Sequence, residues 1–119
     1  YNDKLQETDN KIQELLERWE NINIHDTAKW SNQGASFTRQ LFNMLQLARV
    51  ITLGALKRDE SRGAHYKPDF PDRNDEDFMK TTMADFVDSK SAPNIYYEDI
   101  DVSLIKPRKR DYTKSKGAN

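Results

Sequence analysis

The sequence has no cysteine, only four glycines and four prolines, and no uninterrupted apolar run longer than Leu53 to Leu56. Without cysteine there is no disulfide framework, thiolate zinc site, iron–sulfur ligation or Cys nucleophile, and the composition suits a reducing compartment. The apolar runs fall far short of the ~18 residues of a membrane span. No secretory signal opens the chain, because Tyr1 is followed by Asn2, Asp3 and Lys4 rather than an apolar segment. Charge of one sign is also lacking. Nineteen basic residues face twenty acidic ones, for a net charge of -1. That balance excludes a chain-wide polycation made for nucleic acid and a polyacidic solvating chain. Hydrophobic residues make up 35% of the 119, and adding glycine leaves the total short of the ~45–50% usual for a self-contained globule. The chain also opens inside a helical pattern, without Met. It is therefore expected to be one domain, and a piece of a longer polypeptide.

What is present is mostly helical patterning. Leu5, Ile12, Leu15, Leu16, Trp19 and Ile22 trace one narrow stripe, which predicts a helix over about 3–24 with a single buried face. Asn21 to Gly34 is turn-rich, and Trp30, with Ile22 and Ile24, is expected to pin this connection to the core. Ser36 is the expected N-cap of a second helix over about 36–58. That helix is apolar over most of its circumference. Phe37, Leu41, Met44, Leu45, Ala48, Ile51, Thr52 and Ala55 form one face, and Phe42, Leu47, Val50, Leu53 and Leu56 widen it. The first helix can cover only one side of it. The exposed remainder predicts self-association through Leu45, Val50, Leu53 and their neighbours.

A loop follows over 59–77, with Pro68 and Pro71 excluding helix. Phe78 to Val87 fits both a helical stripe (Phe78, Met79, Thr82, Met83, Phe86, Val87) and a strand alternation (Phe78, Lys80, Thr82, Ala84, Phe86). Period alone does not decide between them. Ile95 to Val102 is β-rich, and Asp88 to Pro93 is a plausible turn. The tail from Lys106 to Lys116 carries six basic residues and one acidic one.

Among candidate sites, the basic tail (Lys106, Arg108, Lys109, Arg110, Lys114, Lys116) suits phosphates, but Tyr112 is the only aromatic interleaved with it. The plainer reading is a solvated tail, and nucleic acid is not an expected partner. His25 beside Asp26 reads as a loop polar pair rather than a metal site. His65 with Ser61 and Glu60 invites a hydrolytic triad, yet no nucleophile elbow accompanies them. Glu60-Ser61-Arg62-Gly63 has two readings. One is a helix C-terminus stopped by Gly63. The other makes Arg62 a planar fork that pins the loop to a carboxylate or to carbonyls of another surface.

The segment Glu60-Ser61-Arg62-Gly63-Ala64-His65-Tyr66-Lys67-Pro68-Asp69-Phe70-Pro71-Asp72-Arg73-Asn74-Asp75-Glu76, preceded by Leu53-Gly54-Ala55-Leu56, carries a family resemblance. With Lys80-Thr81-Thr82 and Pro107-Arg108-Lys109-Arg110-Asp111-Tyr112, it resembles the C-terminal domain of succinate dehydrogenase and fumarate reductase flavoprotein subunits. The details are most similar to the Bacillus and Staphylococcus type, and L-aspartate oxidases share the Glu-Ser-Arg-Gly core. The resemblance implies a mainly α fold: an antiparallel helical pair from a truncated three-helix bundle, then a small β-hairpin over about 78–102 and an extended basic tail over 103–119. It thereby favours strand for 78–87, and it places the bundle's first helix before Tyr1. It further implies that FAD lies in the parent subunit, with no cofactor, metal or catalytic residue in this chain. Glu60, Ser61, Arg62, Gly63 and His65 would be domain-docking residues. The implied partners are the FAD-binding domain and the iron–sulfur subunit, at the cytoplasmic face of the cell membrane and touching it only through the complex. No Gly-x-Gly-x-x-Gly occurs.

Overall fold

The computed structural model describes residues 1–108. Five elements follow in order: α1 (Asn2–Trp19), α2 (Gln33–Lys57), a single turn α3 (Asp75–Phe78), and strands β1 (Lys80–Asp85) and β2 (Asn94–Asp99). The candidate basic residues Lys109, Arg110, Lys114 and Lys116 lie outside the described residues. No described helix is long and apolar enough to cross a membrane.

The stripe read from the sequence becomes the inner face of α1, where Ile12 and Leu16 are buried against Leu45 with Leu15, Phe42 and Ala48 around them. The outer face is laced by Lys4–Glu7 and Lys11–Glu14 pairs one turn apart. α1 ends at Trp19, short of the expected residue 24. The Asn21 and Ile22 amides turn back onto the Arg18 and Trp19 carbonyls, closing the helix with tight final turns. The two helices run antiparallel: Asn2 meets Asp59, Asp9 meets Arg49, and Trp19 donates to the Thr38 carbonyl at 2.9 Å while its ring packs tilted against Phe42.

The Asp9–Arg49 pair lies inside this interface. Arg49 Nε is 3.0 Å from Asp9 Oδ1, both side chains are about 5% exposed, and Gln13 donates to the second Asp9 oxygen. Nothing in the hydrophobic pattern announced it.

α2 starts at Gln33, three residues before the expected cap at Ser36. Asn32 caps it. Its Oδ1 accepts the Ala35 amide at 2.8 Å, and its Nδ2 donates to the Asp26 and Ala28 carbonyls. One side chain thus closes the connection and begins the helix, a task the sequence reading gave to Trp30. Trp30 is instead 88% exposed. Leu45 is likewise not on a free surface. It is buried against α1, and Val50 and Leu53 are half-buried. The open side of α2 carries Phe37, Leu41, Met44, Leu47 and Ile51, each more than 40% exposed.

The strand reading of 78–87 holds over Lys80–Asp85, and of the alternative helical stripe only Phe78 is helical. The acidic start winds into α3, capped by Asn74 accepting the Asp77 amide, and the strand begins only at Lys80. β1 pairs antiparallel with β2 from Lys80 opposite Asp99 to Asp85 opposite Asn94. Ile95 is buried, and Tyr97 donates its hydroxyl to the Lys57 carbonyl at 2.9 Å. Asp88 organises the loop between the strands by accepting the Lys90 and Ser91 amides. This loop straps both long helices. Gln46 and Arg49 donate to the Ser89 and Lys90 carbonyls, and Lys90 pairs with Glu20 at 3.1 Å.

Candidate functional site

The last carbonyls of α2 have no partners within the helix and carry the negative end of its dipole. Lys67 answers both needs. Its ammonium, only 1% exposed, donates to the Leu56 and Arg58 carbonyls at 3.0 and 3.1 Å and to Asp59 Oδ1 at 2.7 Å. Asp59 also accepts from Asn2, and Asp69 accepts the Asn2 amide at 2.8 Å, so the start of α1 is tied to the same place.

Beyond Lys57 the backbone is extended at Arg58. In extended chain, residues two apart point to the same side, which brings Arg58, Glu60 and Arg62 together. Glu60 is fully buried. Its Oε1 accepts from Arg58 and from Arg62, both at 2.8 Å. Its Oε2 accepts from Arg62 at 3.0 Å and from the Asn74 amide at 2.9 Å. Arg58 reaches on to the Phe78 and Lys80 carbonyls and to Thr82 Oγ1, which fixes the hairpin. Arg62 reaches Asp75 at 2.6 Å, and Arg73 holds the other Asp75 oxygen. One buried carboxylate therefore joins the end of α2, the loop, α3 and β1.

Gly63 does not stop a helix. It sits at φ +60 in the tight turn Arg62 to His65, whose end residues exchange both backbone hydrogen bonds. A positive φ at that position suits glycine. Ser61 Oγ donates to the Phe70 carbonyl at 2.8 Å and accepts the Lys67 amide, while His65 Nε2 meets the Arg58 carbonyl at 3.1 Å. Ser61, His65 and Glu60 thus have separate partners, and the triad suggested by their spacing does not form. Asp26, beside His25, accepts the Ala28 amide in a loop turn. No group of three His, Cys, Asp or Glu able to hold a metal occurs among the described residues.

The five residues singled out from the sequence do share one loop, but their polar groups are directed inward. Outside stand Gly63, Ala64 and Tyr66, the last 71% exposed. The sequence reading missed Arg58, Asp59, Lys67, Arg73 and Asp75. Their signal was the near balance of opposite charges packed between Lys57 and Glu76, a composition that can be buried as pairs.

Electrostatics follow from this packing. Burial pushes the Glu60 carboxyl up, yet the hydrogen bonds from Arg62, the Asn74 amide and Arg58 outweigh it and hold the group below its ordinary value. Asp59 is lowered against burial by Lys67 and Asn2. Asp75 is lowered chiefly by Arg62, with burial opposing and Arg73 assisting. A carboxylate depressed in the folded state stabilises it above the unfolded-state value, near ~4, and that contribution is lost as pH falls through the lower folded value. Urea unfolding midpoints should therefore hold steady from pH 7 to about 5 and decline steeply below about 4. With Glu60→Gln the decline should be shallower; an equal decline would show that other carboxylates govern it.

Three comparisons with known proteins bear on this arrangement. Residues 1–112 match the family model described as fumarate reductase flavoprotein C-term. The chain is 69% identical over 118 residues to the succinate dehydrogenase flavoprotein subunit of Bacillus subtilis, covering 99% of this chain and 20% of that protein. It is 35% identical over 108 residues to the fumarate reductase flavoprotein subunit of Haemophilus influenzae, covering 91% and 18%. A solved chain of Escherichia coli quinol fumarate reductase, FrdA, superposes with a TM-score of 0.83 at 32% identity, over 91% of this chain and 19% of that one. The chain spans about a fifth of the length of these relatives.

Proposed function

The chain belongs to the fumarate reductase flavoprotein C-terminal family, and from that premise we propose that it is the docking domain of a flavoprotein subunit. In this reading it braces the FAD-binding domain and contributes to the surface facing the iron–sulfur subunit. The parent takes two electrons from succinate onto FAD and passes them through iron–sulfur clusters towards quinone. It works at the inner face of the cell membrane, which this domain meets only through the complex.

One observation carries the proposal. The charges of the Glu60–Arg62 motif are satisfied within the chain, and the loop they stiffen presents Gly63, Ala64 and Tyr66 outward. A stiff tip with an exposed aromatic suits a contact between domains, because little ordering is left to do on binding. FAD itself does not fit the residues present. The sequence has no Gly-x-Gly-x-x-Gly, and the Asn32 side chain occupies the first turn of α2. No step of the reaction is assigned to this chain.

The test uses the parent-length flavoprotein with Tyr66→Ala. Its flavin content should be unchanged, while its affinity for the iron–sulfur subunit, or its resistance to proteolytic release of the C-terminal domain, should fall roughly tenfold. No change in either measurement would remove the docking role. Purified alone, the 119-residue chain should carry no flavin absorbance and reduce no dye with succinate. Either activity would place catalytic machinery in this domain.

A further inference from the structure

A cavity of about 320 Å³ lies between α1, α2 and the loop that straps them, bounded on the loop side by Ser89 and Lys90. Its size is at the lower end of the ~300–1,000 Å³ typical of ligand sites. It does not belong to the open side of α2. Phe42 and Arg49, the residues of α2 that line it, stand seven positions apart on one line of the helix, turned roughly 150° from Met44. The two helices and the hairpin loop form its walls, whatever covers the opposite side of α2.

Two kinds of surface meet there. Leu16, with Trp19 and Phe42, whose ring centroids are 4.7 Å apart, supplies an apolar wall. The rest is largely charged, and the signs balance: Glu17 and Glu20 against Arg49 and Lys90. Glu20 and Lys90 already hold each other at 3.1 Å. Glu17 has no cation beside it among the described residues. Arg49 is buried, and its Nε is taken by Asp9 at 3.0 Å. Its Nη1 meets the Lys90 carbonyl only at 3.4 Å, longer than an ordinary N–H···O bond. The other three of its five N–H donors have no partner among the described residues. A buried guanidinium with donors to spare is a ready anchor for a planar carboxylate.

We propose that this cavity binds a free α-amino acid with a large apolar or aromatic side chain. Its carboxylate is held by Arg49, its ammonium by Glu17, and its side chain lies against Trp19 and Phe42. A ligand with one charge of each sign suits a lining with two of each. A dicarboxylate does not, because Asp9 already answers Arg49 and no surplus of positive charge remains for a dianion.

Equilibrium dialysis of labelled L-phenylalanine against the parent-length flavoprotein tests this. Binding should be saturable, with a single molecule per chain, and should persist in excess succinate. Hydrocinnamate lacks the ammonium and phenethylamine lacks the carboxylate, so each should bind roughly tenfold more weakly, the effect of losing one charge-assisted hydrogen bond. Glu17→Gln, at an exposed position, should weaken L-phenylalanine roughly tenfold and leave hydrocinnamate unchanged. The double variant Asp9→Leu with Arg49→Met should lose L-phenylalanine and keep phenethylamine. If that variant fails to fold, Glu17→Gln and the two analogues still decide. Absence of saturable binding, displacement by succinate, equal binding of the three compounds, or indifference to Glu17→Gln overturns the proposal.

Discussion

Glu60→Ala should lower the stability of this domain by about 3–5 kcal/mol, the range seen when one partner of a buried ion pair is removed. The loss is large because Glu60 is shared. Without it the Arg58 and Arg62 guanidiniums lose their common counter-charge, and the Asn74 amide loses its acceptor. Arg58 would retain only carbonyls and the Thr82 hydroxyl, so the hairpin should loosen together with the loop. At roughly 4 °C per kcal/mol for a domain near this size, the thermal midpoint should fall by more than about 10 °C. Glu60→Gln keeps the shape and should recover little, because the missing element is charge. Lys11→Ala, which breaks the exposed pair with Glu14, should leave the melting midpoint nearly unchanged, because water and salt screen such a pair. Circular dichroism melts of the three variants make the comparison. A Glu60→Ala midpoint within about 2 °C of the parent would mean that water or local rearrangement replaces the carboxylate.

Asp9→Ala should cost a comparable ~3–5 kcal/mol, for a different structural reason. Asp9 and Arg49 lie between the two long helices, so removing the carboxylate leaves a guanidinium in the interface with the weaker 3.4 Å contact to the Lys90 carbonyl. The double variant Asp9→Leu with Arg49→Met tests whether the pair itself stabilises or merely avoids harm. Apolar replacements of similar volume often match or exceed a buried ion pair, so the double variant should regain most of what Asp9→Ala loses. If instead it is as unstable as the single variant, the pair is a net contributor. Denaturant unfolding with a constant m-value would show that the compared states are the same.

How far the sequence carried this fold depended on what each feature is made of. The helices and the hairpin came from periodicity and from resemblance, and both concern repeated local choices. Helix ends escaped, because they hang on single side chains. Asn32 caps α2 only because the preceding loop brings Asp26 and Ala28 within reach of its amide. No local pattern ranks it above Ser36. Trp30 illustrates the converse, since its bulk argued for burial while the chain was ordered by a smaller polar residue. The loop motif was visible as a motif, but its interior depended on the extended backbone at Arg58. That geometry puts Arg58, Glu60 and Arg62 on one side and converts a run of charges into a buried cluster. Asp9 had no signal of its own, since a polar residue within an apolar stripe is ordinarily read as an interruption.

The inward-facing charges also bear on how the protein behaves in concentrated solution. Asp9, Arg49, Glu60 and Lys67 are the buried charged residues among those described, two of each sign. Their removal from the surface leaves the formal net charge of -1 unchanged. The molecule therefore meets its neighbours with almost no long-range repulsion while displaying an uncharged apolar helix face. Electrostatics will do little to keep copies apart near neutral pH, and added salt, which only screens what little repulsion exists, should favour their approach.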